Sequence, residues 1–174
     1  VLSLACGALE DNDAPAWINA VERRRDVPLR LAMMNVIIAT SRRPKSAHTH
    51  ALVNACVPQL VTCAEHRGEP EIRAAALQAL MMVFHTAASA DAVEHAVPLV
   101  QTITSILRDH ACGDVVRMGA TRVATALLAG DEPVLRAIEP HLGALRAALD
   151  VAARVAADQE VSSLAAKLAS CMTA

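Results

Sequence analysis

The sequence predicts an all-α fold in which antiparallel helix pairs stack one after another, and three observations lead there. First, 54% of the 174 residues are apolar, yet aromatic residues supply only 1%, namely Trp17 and Phe84. The apolar mass is therefore Ala, Val, Leu, Ile and Met. Ala and Leu favour helix, and small Ala side chains let neighbouring helices approach closely. A sheet protein of this size draws more on β-branched and aromatic residues in alternation. Second, Pro58, Pro98 and Pro140 sit in similar apolar settings at intervals of 40 and 42 residues. Third, the motifs Pro28-Leu29-Arg30, Glu71-Ile72-Arg73, Val115-Val116-Arg117 and the degenerate Glu160-Val161-Ser162 recur at intervals of 43, 44 and 45 residues. Two separate series with nearly the same period are the mark of an internal repeat.

The elements follow from that period. A leading helix over 2–10 precedes four helix pairs at roughly 14–41, 47–88, 91–129 and 132–173, which together form a single array. Caps and breakers mark the joints: Asp13 before Pro15, Asp26 before Pro28, Gly68 before Pro70, Gly113-Asp114, and Gly130-Asp131 before Pro133. Between them the apolar residues keep helical phase. Ile72, Ala76, Ala79, Leu80 and Val83 share one face, as do Val116, Ala120, Val123, Ala124 and Leu127. The same holds for Leu135, Ile138, Leu142, Leu145 and Leu149, and for Val161, Leu164, Ala165, Leu168 and Met172. A mid-helix proline costs about 3 kcal/mol unless a bend absorbs it. Three in register therefore predict a bend in each first helix, curving one layer over the other. The chain starts at Val1 with residues that already read as helix, which suggests a piece excised from a longer protein.

The pattern resembles the HEAT repeat of the armadillo-like solenoids, a pair of antiparallel helices of roughly 40 residues. In that family the first helix often carries a kinking proline, matched by Pro58, Pro98 and Pro140. The second opens with an acid, an aliphatic-Arg pair and a small residue, matched by Asp26/Leu29-Arg30, Glu69/Ile72-Arg73/Ala76 and Asp114/Val116-Arg117/Ala120. Met33 at the small position and Ser162 in place of Arg depart from it. The resemblance covers about residues 14 to 174 and implies a right-handed α-α superhelix. It leaves function open, because such arrays serve many.

Composition excludes several classes. A net charge of −2 sets up no overall field toward nucleic acid or anionic membrane, and two aromatics offer little surface for stacking bases. No apolar run approaches the ~18 residues of a membrane span, and no signal peptide is visible. The five cysteines, Cys6, Cys56, Cys63, Cys112 and Cys171, are odd in number and lack framework spacing. They read as reduced core residues of an intracellular protein, most simply a cytoplasmic one. There is no Gly-rich phosphate loop, no GxSxG elbow and no carboxylate pair beside a base on one helical face. His48-Thr49-His50 and the Cys63/His66 pair lack further ligands at a recognisable interval. The HEAT-like deoxyhypusine hydroxylases bind iron through repeated His-Glu pairs. Glu65-His66 and Glu94-His95 run in the reverse order and occur only twice, which argues against carrying that metal-dependent activity over. No cofactor and no small-molecule substrate are expected.

The candidate sites are for a protein partner. Arg30, Arg73 and Arg117 recur at the start of each second helix with acids three or four residues earlier. They read either as a basic ladder for an acidic partner or as ties between adjacent repeats. Met81, Met82 and Phe84 read as core, with a soft apolar groove as the alternative. Residues 22–45 hold seven Lys/Arg against two acids, a balance of +5 in a chain whose remainder sums to −7. Arg23, Arg24 and Arg25 end a helix, where they also complement its dipole. Arg42, Arg43 and Lys45 lie in a polar loop where no core needs charge. Trp17, the only tryptophan, is either an anchor between the first repeats or an interface residue beside the basic cluster. The expectation is a non-catalytic scaffold binding an acidic protein surface through Trp17, Arg23, Arg24, Arg25, Arg42, Arg43 and Lys45. An early Trp followed by basic turns is also similar to the tubulin-binding TOG version of HEAT arrays. The acidic later turns, Glu69-Pro70-Glu71 and Asp131-Glu132, depart from it.

Overall fold

The computed structural model describes residues 31–32, 34–35, 38–39, 48–65, 69–86 and 89–172, and among these there is no β-strand. The chain divides into two compact units, Val1–Ala88 and Ser89–Ala174. In the first, the described parts of 31–39 are helical, with Met34 and Ile38 buried four residues apart. Helix α1 (His48–Glu65) packs on α2 (Pro70–Thr86). Cys56, Val57, Leu60, Cys63 and Ala64 of α1 and the expected stripe Ile72, Ala76, Ala79, Leu80 and Val83 of α2 are buried, with Leu77 and Phe84 beside them.

The second unit comprises α3 (Ser89–Arg108), α4 (Asp114–Leu128), α5 (Glu132–Ile138), a 3-10 turn (Glu139–His141), α6 (Leu142–Val155) and α7 (Gln159–Cys171). Helices α3 and α4 pack as a pair, and so do α6 and α7. Between the pairs, α3 lies against α5 and α6, while α4 lies against α7. First helices thus pack on first helices and second on second, giving two layers. Helix α3 is the hub: Leu99, Ile103 and Leu107 are fully buried along it. Small residues at four-residue spacing are buried on both helices of the α6–α7 pair, Ala148 and Ala152 on one and Ala165 and Ala169 on the other.

The three prolines do not behave alike. Pro58 and Pro98 lie inside continuous helices. Both rings are exposed, so the missing N–H falls on the wet side. Thr62 Oγ1 donates to the Pro58 carbonyl at 3.1 Å, one turn along. At Pro140 the helix is broken rather than bent. Helix α5 stops at Ile138, a 3-10 turn takes Glu139–His141, and α6 resumes at Leu142, whose N–H closes onto the Glu139 carbonyl. Pro140 cannot donate to the residue four before it, and the tighter three-residue bond takes over at that point.

The apolar stripes hold with graded depth. Val116, Ala120, Val123, Ala124 and Leu127 are all buried. Ile138, Leu145 and Leu149 are buried, but Leu135 and Leu142, flanking the break, are half-buried. On α7, Val161 and Ala165 are buried whereas Leu164, Leu168 and Met172 are half-buried. Buried threonines on the helices satisfy their hydroxyls on their own backbone: Thr104 bonds the Val100 carbonyl at 2.6 Å and Thr121 the Arg117 carbonyl at 2.9 Å.

Candidate functional site

The basic cluster lies outside the described residues: Trp17, Arg23, Arg24, Arg25, Arg42, Arg43 and Lys45 are all there, as are Arg30, Met33, Cys6 and the leading helix. The rest of the arginine series is described, and it faces inward. Arg73 is 8% exposed, and its Nε donates to the Ala64 carbonyl at 2.9 Å. Arg117 is 2% exposed, and its Nη2 donates to the Asp109 carbonyl at 3.3 Å. Each acceptor lies at or just past the end of the preceding helix, where the last carbonyls have no partner within the helix. The arginines close the turn inside a helix pair and are withheld from any partner.

Ser162, the degenerate member of the series, does the same job with a shorter arm. Its hydroxyl donates to the Ala153 carbonyl at 2.6 Å, near the end of α6. All three second helices beginning at Pro70, Asp114 and Gln159 are therefore bonded, from the same repeat position, to the end of the helix before them.

At the start of α4 the acid adds a second tie. Asp114 Oδ1 pairs with Arg117 Nη1, and Asp114 Oδ2 accepts the backbone N–H of Asp158 at 2.7 Å, one repeat further on. That N–H, above all, holds the Asp114 carboxyl below its ordinary range; partial burial pushes the other way and the Arg117 guanidinium adds to the lowering. Asp158 then caps α7 by accepting the Glu160 N–H at 2.7 Å. Arg122 and Glu160 make a long, exposed pair at 3.6 Å between α4 and α7, of the kind that contributes little. Arg117 Nε is buried without an acceptor among the described residues.

The remaining sequence candidates disperse. Phe84 is buried, and Met81 and Met82 are half-buried on α2. Cys56, Cys63 and Cys112 are buried, but Cys171 carries a free, exposed thiol, which corrects its assignment to the core. It follows Ala169 by two residues, about 200° around the helix from the buried face. Among the described residues no three His, Cys, Asp or Glu side chains are placed to hold one metal ion. No described helix is long and apolar enough to cross a membrane.

One surface cleft gathers polar groups that the sequence reading did not single out. It has a volume of about 360 Å³ and lies between α3 and the break at Pro140, lined by Gln101, Thr104, Ser105, Arg108, His141 and Ala144. Gln101, Ser105 and Arg108 follow each other at helical spacing, the signal that marks them as one face. Comparison with known proteins adds no relative: no family model, curated protein or solved structure matches the chain.

Proposed function

We propose that the chain is a HEAT-type repeat array, a right-handed superhelix of helix pairs, and that it serves as a non-catalytic scaffold binding an acidic protein surface. The observation that carries the repeat reading is the recurrent turn-closing bond from positions 73, 117 and 162, joined to the packing of α3 on α5–α6 and of α4 on α7. Helix pairs that share one tie and stack like on like, as those of the second unit do, offer broad surface to other macromolecules. Arg73 and Arg117 are consumed inside the turns, so the binding reading rests on the run of positive charge at Arg23, Arg24, Arg25, Arg42, Arg43 and Lys45, with Trp17 near them in sequence. Such a cluster steers an acidic surface and fixes its orientation.

The test is recovery of partners from lysate by the wild-type chain and by an Arg42→Glu/Arg43→Glu/Lys45→Glu variant at moderate salt. The reading expects a set of proteins bound by the wild type and lost by the variant. Equal recovery by both removes the basic turns as the binding face.

A further inference from the structure

We propose that the cleft between α3 and the Glu139–His141 turn is a carboxylate-reading subsite, which takes a Glu or Asp side chain from an extended acidic segment of a protein partner. The inference rests on the scaffold reading above and adds a second, separate point of contact for the same kind of partner. Four observations converge on it.

Among the described residues the lining is rich in donors and holds no acid: Arg108, His141, Gln101 and Ser105 all carry N–H or O–H groups, and none of the described lining residues is Asp or Glu. Most of those donors are uncommitted. Among the described residues the side chains of Gln101, Ser105 and His141 make no hydrogen bond. Arg108 makes one long bond, from Nη2 to the Ala144 carbonyl at 3.3 Å, which steadies the guanidinium beside α6 and leaves its other N–H groups open. The cleft also has a structural origin. The helix break at Pro140 turns α5 into α6 where both lie against α3, and it sets His141 opposite the Gln101–Ser105–Arg108 face.

The chemistry of the occupant follows. A carboxylate is acceptor-only and planar, and a guanidinium binds it through paired N–H groups more strongly than neutral donors do. The walls are shallow, formed by exposed Gln101, Ser105 and Arg108, so the cleft cannot enclose most of the surface of a free small molecule. Affinity must come partly from contacts outside the cleft. A peptide segment crossing α3 supplies those, with the carboxylate as the point that sets its register.

The experiment is an array of short peptides with varied flanks and one fixed central Glu, each printed beside a Gln copy and a phosphoserine copy, and probed with the full chain. Wild type should retain a subset of Glu spots about tenfold above their Gln copies, the ratio expected for one charge-assisted bond. Arg108→Gln and His141→Gln should each reduce that ratio, Arg108→Lys should restore part of it, and far-UV circular dichroism should match wild type for these surface changes. The Arg42→Glu/Arg43→Glu/Lys45→Glu variant should keep the Glu-over-Gln ratio even where it loses partners from lysate, so the two proposals fail separately. No Glu preference by wild type overturns the subsite, as does a preference that survives both Arg108→Gln and His141→Gln. Retention of phosphoserine copies alone overturns it in favour of phosphate recognition.

Discussion

The backbone N–H of Asp158 donates to Asp114 Oδ2 at 2.7 Å, so the first residue of α4 is joined to the N-cap of α7, 44 residues further along the chain. The same carboxylate also holds Arg117, whose guanidinium reaches back to the carbonyl of Asp109. One side chain therefore links the turn within its own pair to the turn of the next.

That link makes stability depend on acid in a defined direction. The folded state holds the Asp114 carboxyl below its ordinary range, chiefly through the Asp158 N–H. The contribution is fully present above the ordinary carboxylate value, and it is lost as pH falls from there through the depressed folded value. Asp114→Asn should be less stable than wild type at neutral pH, because Arg117 loses its counter-charge. Across the acid range its urea midpoint should fall less steeply with pH. Parallel midpoint curves for the two proteins would show that the Asp114 carboxylate carries no linkage.

The turn-closing bonds should rank by the charge of their donor. Arg73→Met and Arg117→Met remove charge-assisted bonds from buried positions and should cost about 1.5–3 kcal/mol each, against about 1 kcal/mol for Ser162→Ala. Chemical denaturation measures this directly. If Ser162→Ala costs nothing and leaves amide exchange near the end of α6 unchanged, the hydroxyl is not a member of the series.

The helices and their buried faces were legible because burial writes itself into residue phase: the stripes of 72–83 and 116–127 point inward as a period of 3.6 requires. The role of Ser162 was not, since its acceptor is a backbone carbonyl and leaves no trace in the identity of residue 153. Nor was the break at Pro140. Pro58 and Pro98 lie inside intact helices, so a proline does not by itself mark a break. The cleft beside that break was illegible because Gln101 and Arg108 meet His141 only through packing. Cys171 was readable in principle: Val161, Ala165 and Ala169 set the buried face of α7, and residue 171 lies opposite.

Thiol chemistry should separate the cysteines by that placement. Under native conditions an alkylating reagent should modify Cys171 first among Cys56, Cys63, Cys112 and Cys171, because the other three thiols are buried. Peptide mapping after brief exposure identifies the site. Early labelling of Cys63 or Cys112 ahead of Cys171 would mean that the α1–α2 or α3–α4 turn opens more readily than α7 exposes its outer face.

Two glycines in the second unit should respond to alanine in opposite directions. Gly143 lies in the first turn of α6, and an added methyl group there meets nothing within 4 Å. Gly143→Ala should stabilise by about 0.5 kcal/mol, mainly by restricting the unfolded chain. Gly130 links α4 to α5, where the same methyl would stand 3.0 Å from the Leu127 carbonyl oxygen and 3.1 Å from Val134 Cγ1. The carbonyl is backbone and Val134 is buried, so neither neighbour yields easily. Gly130→Ala should therefore destabilise by about 1–3 kcal/mol, as overpacking does elsewhere. Melting temperatures of the two variants should lie on either side of wild type. A rise for both would show that the α4–α5 turn relaxes around the added carbon.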